Sequence, residues 1–130
     1  MSYSVFMRKL CTKWFMRWAR KASLSDLNLL EAIDNLEKGL SVAELGGNLF
    51  KIRVKRAGKG KSSGFRTIVV YKKKEKVIFL YGFSKSEKSN IDKTELQYFK
   101  KLGNDLLALD VKQITDSTQK QILFDLEVTE

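Results

Sequence analysis

Lys51, Arg53 and Lys55 stand at alternate positions of Phe50-Lys51-Ile52-Arg53-Val54-Lys55, with apolar residues between them. Alternation is the period of a half-buried strand, so the cations share one face while Phe50, Ile52 and Val54 turn toward the interior. Arg66 opens the next apolar run and can converge on the same face; Lys85 and Lys88 follow the third. Residues 51–76 hold eleven Lys or Arg against one acid, Glu75. Like charges two residues apart repel, and few acids lie nearby to relieve them. Such a face suits a run of phosphates; a solvated sheet face is the plainer alternative.

The chain has no histidine and one cysteine, Cys11. Histidine acid–base chemistry, Ser-His triads and His-ligated metals are excluded, and no metal or other cofactor is expected. Cys11 reads as structural rather than nucleophilic. RNA, however, carries its own nucleophile in the 2′-OH. A site need only align it with the phosphate and stabilise the extra charge of the transition state, which Lys and Arg can do. A lysine crowded by cations has a lowered pKa and can act as base or acid. Glu87, among cations, fits either a general base or an ion pair within the sheet. A module that binds nucleic acid without cutting it would look similar.

Ala57 to Gly64 reads as a loop rich in Gly, Lys and Ser. Gly60-Lys61-Ser62 resembles the end of a P-loop, but that pattern needs Gly at position 55, where Lys55 stands, and the segment leads into a strand. The loop, with Lys59 and Lys61 in it and Lys55 and Arg56 just before it, is better read as a flexible, basic connection able to adapt to a nucleic-acid backbone.

The elements that must position these residues fit one domain over 1–130. The length is 130 residues, 43% hydrophobic, without proline and without an obvious linker or repeat. A net charge of +10 predicts attraction to a polyanion; an anionic membrane or an acidic protein fits the same number. No apolar run reaches the roughly 18–20 residues of a membrane span, and a lone cysteine suits a reducing, cytoplasmic setting.

Residues 3–8 read as a first strand and Thr12 to Ala22 as a helix, with Trp14, Phe15 and Trp18 as core anchors. A second helix begins at Ser25, a plausible N-cap, with Leu27, Leu30, Ile33, Leu36 and Leu40 as its apolar stripe and Gly39 near its C-cap. Phe50–Lys55, Phe65–Lys72 and Val77–Phe83 read as strands, the last two as an antiparallel hairpin. Helical period returns over 92–109. The tail, with six acids and two lysines from Asp105 onward, holds a short helix at Ser117–Gln121 and a strand at Leu123–Val128. The expectation is an α+β fold: a compact antiparallel sheet packed against an N-terminal helical hairpin, with a C-terminal helix.

Several segments resemble one family. Leu45-Gly46-Gly47-Asn48-Leu49-Phe50-Lys51-Ile52-Arg53-Val54 resembles the hairpin entry of toxins of the RelE/ParE superfamily in its HigB-like branch. The stretch from Lys55 to Val69, with Gly64-Phe65-Arg66 within it, resembles their most distinctive segment. Tyr81 to Ile91 resembles the end of their central sheet, and Phe15-Met16-Arg17-Trp18-Ala19-Arg20-Lys21 their first helix. The likeness spans about residues 5–109, leaving 110–130 as a C-terminal extension. It implies a type II toxin that cleaves mRNA, commonly on the ribosome, and so inhibits translation. It also implies a cognate antitoxin, often with a helix-turn-helix DNA-binding domain.

By that resemblance Lys51 and Arg53 match the basic strand pair and Arg66 the arginine after Gly-aromatic; with Lys85 they form the expected catalytic set. Lys55, Arg56, Lys59, Lys61, Tyr81 and Lys88 are the expected RNA contacts. Two positions depart from the pattern. Ser86 stands where an arginine follows the lysine, and Asp92 where a tyrosine is expected. Lys85, Lys88 and Tyr81 are present to take those roles. The histidine that HigB-like relatives often carry is absent. ParE-like members of the same fold poison DNA gyrase, which keeps a protein target as the alternative.

Overall fold

The computed structural model describes residues 7–55 and 64–126. Ten elements follow in order: β1 (Arg8–Thr12), α1 (Lys13–Lys21), α2 (Asp26–Glu37), β2 (Val42–Gly46), β3 (Leu49–Val54), β4 (Phe65–Lys72), β5 (Lys76–Ser84), α3 (Lys93–Leu107), α4 (Val111–Gln119) and β6 (Leu123–Asp125). The strands form one sheet in the order β2-β3-β4-β5-β1-β6. The α+β class holds, but the sheet is mixed: β1 runs parallel to β5 and antiparallel to β6.

The expected helical hairpin is replaced by two helices that each lie on the sheet, α1 over β5 and α2 over β3, after a first strand. Helix α3 covers β4 on the other side. Each face therefore has its own core. Phe15, Ala19, Leu29, Ile33, Ile52, Val69 and Phe79 fill one; Leu10, Leu49, Ile68, Ile78, Phe99 and Ile114 fill the other. With both faces buried, β4 runs apolar from Ile68 to Tyr71 and β5 from Val77 to Phe83 rather than alternating.

Caps fix the helix starts. Thr12 accepts from Phe15 N, Ser25 forms a capping box with Asn28, and Asp92 forms one with Glu95. Lys38 caps the end of α2, with Gly39 just beyond it. The buried stripe of α2 is Leu29, Ala32, Ile33 and Leu36, while Leu27 and Leu40 are exposed, so the expected stripe is only partly right. The first strand starts at Arg8; residues 3–6 of the expected one lie outside the described residues. Helix α4 begins at Val111, capped by Asp110, six residues before the short helix expected at Ser117. Lys76, buried at the end of the β4–β5 turn, donates to the carbonyls of Leu107 and Leu109 and so satisfies the C-terminus of α3. Burial pushes its pKa down.

Trp14 and Trp18 part company. Trp18 lies against Phe65 edge-on and over Gly82, where an added Cβ would meet its ring at 2.2 Å. Trp14 is 50% exposed, so the expectation that it anchors the core is corrected. Gly82→Ala should displace Trp18 and lower stability by about 1–3 kcal/mol, the usual cost of overpacking. Chemical denaturation would read this as a lower midpoint with an unchanged slope.

Candidate nucleic-acid interface

The site rests on an irregularity of β5. Ile68 pairs with Tyr81 and Val69 with Phe79, so Leu80 is an extra residue. Phe79 belongs to the core under α1, whereas Leu80 and Tyr81 both belong to the core under α3. The bulge thus turns Tyr81 and Phe83 to the α3 side of the sheet. On that face the cross-strand rows are Lys51–Ile68–Tyr81 and Arg53–Arg66–Phe83.

Arg53 and Arg66 therefore stand directly opposite each other, with Lys51 diagonal to Arg66. Directly opposed like charges destabilise a sheet unless a counter-charge is supplied. No ion pair among the described residues involves Lys51, Arg53 or Arg66. All three line one open depression of about 340 Å³ with Ser41, Val42 and Ala43 of the neighbouring edge. Arg53 is exposed; Lys51 and Arg66 are half-buried. The Lys51 ammonium donates to Asn90 Oδ1 at 3.3 Å, which ties the segment after β5 back to β3.

The other expected residues divide. Lys85 is exposed in the turn after β5, and Lys55 is exposed just past β3; neither lines the depression. Arg56, Lys59 and Lys61 lie outside the described residues. Lys88 forms its own cluster. Its ammonium donates to both oxygens of Glu95 at 2.8 and 2.7 Å, lies 3.5 Å from the Tyr81 hydroxyl and sits 5.4 Å from that ring's centre. The hydrogen bond to Glu95 raises its pKa, so Lys88 is held charged and is not a lysine lowered by crowding.

Glu87 makes none of the ion pairs found among the described residues. It accepts from the Ser84 amide at 3.2 Å and the Ser84 hydroxyl at 2.7 Å, closing the turn. The two departures also have local uses. Asp92 caps α3 by accepting from Glu95 N at 2.8 Å, and the Ser86 hydroxyl meets that of Ser84 at 3.0 Å. Glu95 was not legible as a site residue. Its signal was the Asp92-to-Glu95 spacing of a capping box, which placed it at the start of α3 facing Lys88. Cys11 is buried in the core, and burial pushes its thiol up to about 12, which fits a structural role.

Glu95→Gln should lower the Lys88 pKa by removing the largest cause of its elevation. A raised lysine pKa contributes stability below the ordinary lysine range and loses it as pH rises through the raised value. The variant should therefore lose that alkaline limb. If the basic face binds a polyanion, the variant should also steepen the salt dependence of that binding, because Lys88 is freed for phosphate. A salt slope equal to that of the wild type would count against a phosphate role for Lys88.

Among the described residues no helix is long and apolar enough to cross a membrane. A family model described as the RelE toxin of the RelE/RelB toxin–antitoxin system matches residues 7–126. The match takes in α4 and β6, beyond the point at which the recognisable segments end. Among curated proteins none matches the chain.

Proposed function

The chain belongs to the RelE toxin family of RelE/RelB toxin–antitoxin systems, and from that premise we propose that it is an mRNA endoribonuclease that needs no metal and inhibits translation on the ribosome. Membership implies a cognate antitoxin; the likeness of Leu45–Val54 and Lys55–Val69 to the HigB-like branch supports one with a helix-turn-helix domain. The observation that carries the reading is Arg53 opposite Arg66, with Lys51 diagonal, in one depression and without acid partners among the described residues. A cost of like-charge apposition is best explained by a ligand that supplies the opposite charge.

In the proposed reaction the 2′-oxygen attacks the adjacent phosphorus in line. The bond from phosphorus to the 5′-oxygen breaks, leaving a 2′,3′-cyclic phosphate and a 5′-hydroxyl. Arg53 and Arg66 hold the phosphate and stabilise its developing charge. Lys51, inside the depression, is the amine that moves one of the two protons, off the 2′-oxygen or onto the 5′-oxygen; Lys85, which stands outside it in the turn after β5, is assigned the other by resemblance alone. Lys55 and Lys88, with Tyr81, bind the flanking strand.

The test is controlled expression in a bacterial host with RNA 5′ ends mapped across the transcriptome by a method that captures 5′-hydroxyls. New 5′-hydroxyl ends within translated coding regions are expected. Growth arrest without new ends would overturn the reading in favour of a protein target such as gyrase, the alternative that the changes at Ser86 and Asp92 leave standing.

A further inference from the structure

Taking as its basis the reading of the basic face as RNA-binding, we propose that the groove between Trp14 and Tyr98 is a base-stacking subsite. It would receive an unpaired nucleotide of the same strand that the arginines hold. Trp14, Tyr98 and Ile122 are 50%, 62% and 56% exposed around one opening. Their groove, about 480 Å³, has Leu80, Phe99 and Leu102 among its lining, a size within the range of small-ligand pockets, roughly 300–1,000 Å³. Large apolar side chains exposed around a single concavity are uncommon without an occupant.

Two observations choose the occupant. The first is continuity with the phosphate-binding face. Tyr98 meets Phe99 at 5.3 Å, Phe99 meets Tyr81 at 5.0 Å, and Tyr81 stacks on Trp14 at 4.7 Å and 28°. Tyr81 also lies beside the Lys88 ammonium and in the cross-strand row of Lys51. The aromatic run lines the groove, and its Tyr81 end shares a cross-strand row with Lys51 of the depression, one strand away across Ile68. The second is charge. Lys13 lines the groove and no acid does. Helix α1 continues outward with exposed Arg17 and Lys21 and carries no Asp or Glu, while Arg20 faces the separate pocket beside Asp26 and Asp125. Cations that track a backbone beside aromatic faces that stack its bases are the combination by which single strands are bound. The core does not need Trp14, because Trp18 fills the seat over Gly82.

The experiment is fluorescence anisotropy of a labelled single-stranded RNA, intact or with one abasic nucleotide, titrated with wild type, Trp14→Ala and Trp14→Phe. Antitoxin binding is measured alongside. Trp14→Ala should weaken binding of intact RNA about five- to a hundred-fold, and Trp14→Phe should restore most of it. The salt slope should not change, since no phosphate contact is removed. For wild type, an abasic nucleotide in register should cost as much as the alanine does.

Intact RNA bound by Trp14→Ala within twofold of wild type would overturn the subsite, as would a loss that is equal on abasic RNA. Antitoxin binding lost while RNA binding is untouched would assign the groove to protein instead. Base-dependent binding by a wild type that makes no cuts would leave the subsite standing and sink the nuclease reading. Cleavage by a Trp14→Ala chain that binds as wild type does would do the reverse. A wild type that binds no RNA would end both.

Discussion

Arg66→Ala is expected to lower the rate of RNA cleavage by about 10²–10³-fold, the usual cost of removing one preorganised group that meets the developing charge of a transition state. Arg66 stands at the crossing of both relationships that define the depression: directly opposite Arg53 and diagonal to Lys51. Its removal also relieves the Arg53–Arg66 repulsion. The folded chain should therefore be as stable as the wild type or slightly more so, while activity falls. That opposition of signs separates a ligand-binding arginine from a structural one. Arg66→Lys keeps the charge but loses the planar fork that meets two phosphate oxygens together, so it should recover binding better than rate. The measurement is a single-turnover cleavage time course paired with a thermal melt. A melt that drops with the rate would return Arg66 to the fabric of the sheet.

The cations of this site were legible because their signal is local. A period of two over Phe50–Lys55 fixes which side chains share a face, and β3 keeps that pattern. What was not legible is how that face is completed across strands. The extra residue at Leu80 reverses the phase of β5 and brings Tyr81 beside the cations. No periodicity in Val77–Phe83 announces it, because a strand buried on both faces is apolar at either phase. Strand β2 was missed for a related reason. Val42-Ala43-Glu44-Leu45-Gly46 is short and only weakly alternating, and its pairing is set by the Gly47-Asn48 turn, both residues at positive φ (61° and 64°). That pair is a hairpin signal in its own right. Trp14 and Trp18 sit four residues apart on one helical face, so spacing alone gives them the same role. The difference arises from Gly82, a residue distant in sequence, which makes room for only one of them. Asp92, which looks like a lost site residue by resemblance, is accounted for by the capping of α3.

The bulge and the site depend on the strand that carries them, and Phe79 is where that strand is held. It is fully buried, pairs with Val69 of β4 and Cys11 of β1, and stacks on Phe15 of α1 at 4.8 Å. One side chain thus joins both neighbouring strands to the helix above them, immediately before the extra residue at Leu80. Phe79→Ala should cost about 3–5 kcal/mol, the sum of lost transfer energy and the cavity left in a close-packed interior. Against a typical total of about 5–15 kcal/mol, that is a large share, and the variant should be partly unfolded at growth temperature. Phe15→Ala should cost a comparable amount, and the double variant less than the sum, because both remove the same ring contact. Denaturant titration of the set would read these as lowered midpoints. Strict additivity would show that the two rings stabilise the protein independently. Activity should then follow the folded fraction in the Phe79 series, recovering on cooling, whereas the loss in Arg66→Ala persists at every temperature at which the chain is folded.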